Sequence, residues 1–109
     1  MLFLVQEKDL DINQSLCALY FYASWMPFHK KMMIMIEKME QKYPIIKFFA
    51  INVESFKGLC KRFAISSVPI VLILEAGREA KRINGIVLTS AFKSAFVDIC
   101  NFSNHTNME

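Results

Sequence analysis

A close pair of cysteines is what this chain most plainly lacks. Its three cysteines, Cys17, Cys60 and Cys100, lie far apart, and no CxxC spacing occurs. Thiol–disulfide exchange needs one thiolate to attack and a second thiol to resolve the mixed disulfide, so a dithiol cycle has no local pair to run on. A structural zinc site would need close cysteine pairs or histidines at ligand spacing, and neither is present. No metal and no cofactor is expected. Long apolar runs are missing too. Stretches such as Val68–Leu74 fall far short of a bilayer span. The opening "MLFLVQEKDL" has no basic segment and too few apolar residues for a secretory signal. No membrane association is expected, and three free thiols fit a reducing, cytoplasmic setting. The net charge of +3 comes from lysines spread among acids, not from a basic patch with interleaved aromatics. That leaves a weak lean toward acidic partners, and nucleic acid is not an expected partner. Internal repeats and low-complexity tracts are absent as well.

What is present reads as one domain. The chain has 109 residues, 54% of them apolar, enough for a single modest core. The domain is assigned to 1–103, with 104–109 as a flexible C-terminal tail. Leu2–Gln6 is a short strand candidate, and "EKDLDINQ" offers at most two turns of helix. Leu16–Tyr22 is a continuous apolar run, as a strand buried on both faces requires. A helix is predicted from about Pro27 to Lys42, stopping before Pro44. Its core stripe is Phe28, Met32, Met35, Ile36, Met39 and Tyr43. Lys30, Lys31, Glu37, Lys38 and Gln41 fall on the far side, joined by Ile34, with Met33 at the edge. Ile45–Val53 is a second buried strand. Phe56, Leu59, Cys60 and Phe63 recur at helical spacing, and "PIVLILE" is a third core strand. The "EAGR" turn joins it to "EAKRING" as a hairpin. Phe92, Ala95, Phe96 and Ile99 stripe a last helix, with Thr89 or Ser90 as its N-cap. The order is βαβαβ then ββα: an α/β fold with a central mixed sheet of four to five strands flanked by helices on both faces.

Several motifs in that order carry a family resemblance. "FYASW" enters a loop, and "HKKM" opens the following helix. "INVES" ends a strand as Asn-hydrophobic-acid. "LCKRFAISSVPIVLIL" holds a Val68-Pro69 pair, and Asn84-Gly85 closes the last strand. Together, over about Leu16–Phe102, they resemble the thioredoxin family. The resemblance implies a thioredoxin-like fold and a cis bond before Pro69. It also implies an active site at Trp25, where the family reads Trp-Cys-Gly-Pro-Cys. This chain reads Trp25-Met26-Pro27-Phe28-His29. A thioether cannot form a disulfide, and an imidazole cannot resolve one. The family commonly keeps a buried Asp below the cysteines, paired with a buried Lys on the neighbouring strand. Those positions here are Tyr20 and Ala50. A buried charge is costly unless it has a use and a partner, so a chain without the chemistry can lose both. The stretch is the degenerate remains of a redox active site on a retained scaffold.

No catalytic residue is assigned, and disulfide oxidoreductase activity is not expected without CxxC. In the family, the loop after the Trp and the residue before the cis-proline form a shallow apolar groove. An extended peptide pairs there by strand addition. The resemblance therefore implies a redox-inactive adaptor that binds a protein or extended peptide through Trp25, Met26, Pro27, Phe28, His29, Val68 and Pro69. A monomer or weak dimer is expected. The alternative is an atypical oxidoreductase using a single thiol, Cys60 being the sharper candidate. Each cysteine is otherwise expected to pack as a small hydrophobe. Met26 and His29 are too few ligands for copper. At the positive end of its helix, His29 is expected to stay neutral and accept hydrogen bonds from backbone amides.

Overall fold

Alternation along three apolar strands sets the architecture. A computed structural model of the chain describes residues 1–13, 15–87 and 89–107, with side chains through Cys100. Strand β2 (Leu16–Tyr22) is central and almost wholly buried. It pairs in parallel with β3 (Lys47–Asn52) and antiparallel with β4 (Ile70–Glu75). With β1 (Leu2–Phe3) beside β3 and β5 (Arg78–Asn84) beside β4, the sheet is mixed and five-stranded, in the order β1-β3-β2-β4-β5. One face of β2 carries Ala18 and Tyr20. They pack with Met32, Met35, Ile36 and Met39 of α1 (His29–Lys42) and with Phe92 and Phe96 of α3 (Thr89–Asn107). The other face carries Cys17, Leu19 and Phe21, which pack with Leu59 of α2 (Lys57–Arg62). Helices thus cover both faces, as expected. Each fully buried Leu, Ile or Phe contributes about 1.5–3 kcal/mol, so the two clusters carry most of the driving force.

Element ends depart from the expectations where local geometry overrides pattern. Strand β1 stops at Phe3, and a single 3-10 turn, Glu7–Asp9, is all the helix "EKDLDINQ" forms. Helix α1 begins at His29, not Pro27, because Met26 closes a tight turn back to Ala23 (N to O 3.1 Å). That turn rotates the loop, so Phe28 leaves the core stripe and is 48% exposed. Ile34 is exposed, while Met33 packs partly against the core. Thr89 is the first residue of α3 and not its cap; its hydroxyl reaches Met35 Sδ at 3.5 Å. Helix α3 runs through Asn107. The last two positions, 108–109, lie outside the described residues.

Two backbone devices position the segment that leads into β4. Helix α2 ends in a paired closure: Ile65 N–H donates to Cys60 O at 2.8 Å and Ala64 N–H to Lys61 O at 3.3 Å. The left-handed residue this motif needs is Ala64, at φ 54°, where glycine is usual. The Arg82 guanidinium, from β5, donates to the Phe63 and Ala64 carbonyls at 2.7 and 3.1 Å and is itself held by Glu79. The β4–β5 hairpin turns through Ala76 and Gly77, both at positive φ (50° and 82°), as a two-residue turn of matching twist requires. A one-residue bulge at Ala80 follows, between the pairs Leu74–Glu79 and Ile73–Lys81.

Candidate functional site

Strands β2 and β3 run in parallel and end side by side, Tyr22 opposite Asn52. The loop after β2 is tied to the loop after β3 by one carboxylate. Glu54 Oε1 accepts from the Ser24 backbone N–H at 3.1 Å and from the Ser24 hydroxyl at 2.9 Å. That tether leaves Trp25 standing out, 71% exposed. Its neighbour Met26 turns the other way, 8% exposed, into the core under α1 and α3.

Trp25 forms one wall of a shallow groove of about 380 Å³, with Val53, Ile65, Ser66, Ser67 and Val68 completing it. The Val68–Pro69 bond is cis. Pro69 is buried, and its carbonyl accepts from Gly85 N–H at 2.8 Å. Among the described residues, the backbone groups of Ser66, Ser67 and Val68 make no hydrogen bond. They form a short stretch of open backbone edge beside an apolar wall.

Of the seven residues expected at the site, the structure brings Trp25 and Val68 together in this groove. Pro69 follows Val68 in the interior. Met26 belongs to the core, and Pro27 and Phe28 are exposed on the loop outside the lining. Val53, Ile65, Ser66 and Ser67 are lining residues that sequence reasoning missed. Val53 carried a signal, sitting inside the "INVES" motif; the other three lie in a segment with no periodicity.

His29 takes a different place from the groove. Its Nδ1 is hydrogen-bonded to the Tyr20 hydroxyl at 2.9 Å, not to backbone amides as expected. Its ring stacks on Tyr22 at 4.6 Å between centroids, and Tyr22 stacks on Tyr20 at 5.4 Å. Phe3 of β1 meets Tyr22 edge-on at 6.3 Å. Burial pushes the Tyr20 hydroxyl well above the ordinary phenol range, and the neighbouring Tyr22 adds to the shift. Burial also raises Tyr22, with help from the Glu54 charge. The Tyr20 side chain, 1% exposed, has no other hydrogen-bond partner among the described residues. This contact pairs the buried Tyr20 hydroxyl with the imidazole. Two positions where the family keeps a proton-handling Asp and a cysteine are thus bonded to each other.

Cys17 is buried, and Cys60 and Cys100 are half-buried. Burial, with a smaller contribution from the Asp11 charge, pushes Cys17 up to about 11. Burial likewise raises Cys60 and Cys100, and a backbone contact only partly offsets it at Cys60. All three are unbonded to one another. Nucleophilic thiol chemistry wants the opposite, a depressed value near positive charge. Among the described residues, no three His, Cys, Asp or Glu side chains converge as a metal site would, and no helix is long and apolar enough to cross a membrane.

Known proteins resemble this chain along most of its length. The thioredoxin family profile matches residues 5–98. Thioredoxin-1 of Saccharomyces cerevisiae is 30% identical over 80 residues, covering 72% of this chain and 78% of the yeast protein. Thioredoxin-2 of the same yeast is 27% identical over 79 residues, covering 72% and 76%. Among solved structures, oxidised thioredoxin from Plasmodium falciparum superimposes with a TM-score of 0.82 at 19% identity, over 90% of this chain and 96% of that one. Thioredoxin from Trypanosoma brucei brucei gives 0.81 at 16% identity, over 92% and 90%.

Proposed function

Because the chain belongs to the thioredoxin family yet carries Met26 and His29 where that family has its redox cysteines, we propose that it is a redox-inactive adaptor. It binds an extended stretch of protein through the groove between Trp25 and Val68. The observation that carries this reading is the Tyr20–His29 hydrogen bond. Loss of a cysteine alone could leave a damaged enzyme with its proton-handling residues in place. Here the replacements have become partners, a stacked and part-buried pair at those two positions.

The groove supports the other half of the reading. Trp25 is exposed beside apolar Val53, Ile65 and Val68. The open backbone of Ser66–Val68 offers donors and acceptors to an added strand. Relatives named thioredoxins favour the alternative, an oxidoreductase working through one thiol. The half-buried Cys60 thiol is raised rather than depressed, which argues against it. Free thiols at all three cysteines suit a reducing cytoplasm, and the protein acts there as a monomer or weak dimer.

The test is a pull-down from lysate of the source cell followed by titration calorimetry with the recovered partner. Trp25→Ala and Val68→Asp are each expected to weaken binding about tenfold or more, because aromatic anchors dominate such contacts. Neither change should lower the melting temperature appreciably. Unchanged binding by Trp25→Ala, together with its loss on Ile34→Asp, would place the contact on α1 instead.

A further inference from the structure

The two edges of the sheet are built differently. The β5 edge is guarded: Arg78, Glu79 and Lys81 are exposed along it, and the bulge at Ala80 breaks its line. The β1 edge has no such guard. Strand β1 holds no charge, no proline and no bulge, and its two side chains, Leu2 and Phe3, are about half exposed. Val5, just beyond it, is 78% exposed, and Ile45, which leads into β3, is 68% exposed. These are four of the eight large apolar side chains exposed among the described residues, so bare apolar surface is concentrated at this one edge. The backbone there is open too. Leu4 N–H donates to Ala50 O at 2.9 Å. Backbone groups alternate along a strand, so Leu2 and Leu4 turn theirs to β3, while Phe3 and Val5 turn theirs outward.

We propose that a second copy of the chain covers this edge, its β1 antiparallel to the first about a two-fold axis at Phe3. The edge is complementary to itself. Facing residues of an antiparallel hydrogen-bonded pair exchange both N–H···O bonds, and Phe3 presents both groups outward. The same axis sets Val5 of each copy beside Met1 of the other. There the protruding valine meets a hollow of about 570 Å³ lined by Met1, Leu2, Pro44 and Ile45. The apolar surface on offer is roughly 400 Å² per copy, about half of what a stable interface takes from each partner, so the dimer is weak and reversible. None of these residues lines the groove at Trp25 and Val68, and the pairing stands apart from the adaptor reading.

Analytical ultracentrifugation of the full chain tests it. The average mass should rise from one chain toward two between about 10 μM and about 1 mM. Val5→Lys puts a charge on an exposed side chain of the edge, so it should leave the melt unchanged and hold the mass at one chain throughout. Phe3→Pro removes the outward N–H and none that faces β3, and should also abolish the rise. In the background Cys17→Ala/Cys60→Ala/Cys100→Ala, Phe3→Cys should crosslink to its own copy on mild oxidation, because facing residues of such a pair lie about 5.5 Å apart at Cα. Asn84→Cys, on the β5 edge, should not. A chain that stays single up to about 1 mM overturns the proposal. So does a dimer that survives Val5→Lys and Phe3→Pro but is lost in Trp25→Ala, which places the second copy in the groove. A single chain that loses a lysate partner on Val5→Lys gives the edge to another protein and likewise overturns it.

Discussion

Cys17 and Tyr20 lie three apart on β2, so their side chains enter opposite clusters, and each makes a prediction of its own. Burial holds the Cys17 thiol neutral up to about 11, against an ordinary value of 9.0. The unfolded chain therefore ionises first as pH rises. The stability this thiol contributes is fully present below about 9 and is lost as pH climbs toward about 11. Chemical denaturation across that range should show stability falling, with a shallower slope in Cys17→Ala. Iodoacetamide should label Cys17 at the rate of global opening. Cys17→Ser places a hydroxyl in a buried strand and should lower the melting temperature. Tyr20→Phe removes the partner of His29 Nδ1 and should cost about 1 kcal/mol. Groove binding should survive that change, since the pair lies outside the lining.

Helix ends and loops decide where the site residues go, and here sequence pattern was least informative. Strand β2 was legible to the residue because a run buried on both faces cannot be mistaken for a solvated element. The Met32–Met39 stripe was legible because helical spacing survives any shift of the helix start. Met26 and Phe28 were assigned the wrong way round: the stripe was extended back through Phe28, but the Ala23–Met26 turn intervenes and swaps inside for outside. The Tyr20–His29 bond joins residues from two elements, so no local pattern announces it. The groove wall at Ile65–Ser67 depends on how α2 ends. That ending is testable. Ala64 sits at φ 54°, a conformation that costs an L-residue roughly 1–2 kcal/mol. Glycine adopts it freely but loses more entropy on folding, by about 0.4–1 kcal/mol. Ala64→Gly should therefore stabilise by about 0.5–1 kcal/mol, read as a rise of a few degrees in Tm. Arg82→Ala, which frees the Phe63 and Ala64 carbonyls, should lower Tm and weaken groove binding together.

Across the whole molecule, the chain keeps the thioredoxin fold and carries Met26 and His29 at the positions the family resemblance assigns to its cysteines. That substitution can be tested by putting the chemistry back. Met26→Cys/His29→Cys restores the family's cysteine positions. It leaves Tyr20 without its hydrogen-bond partner and gives the new thiols no proton-handling pair, so insulin reduction with dithiothreitol should rise only weakly above the uncatalysed rate. Adding Tyr20→Asp and Ala50→Lys supplies that pair. Both positions are buried at about 1% exposure between the sheet and α1, so the added charges must compensate one another inside the core. The four-residue variant should reduce insulin faster than the two-residue one and melt lower than the parent, since a buried ion pair seldom recovers its desolvation cost. Strong reduction by the two-residue variant alone would mean that the scaffold handles protons by another route. The parent should show no catalysed rate, and a rate that persists in the triple variant Cys17→Ala/Cys60→Ala/Cys100→Ala would trace to contaminating thioredoxin. A parental rate abolished by Cys60→Ala alone would instead establish the single-thiol enzyme, with the groove as its substrate site.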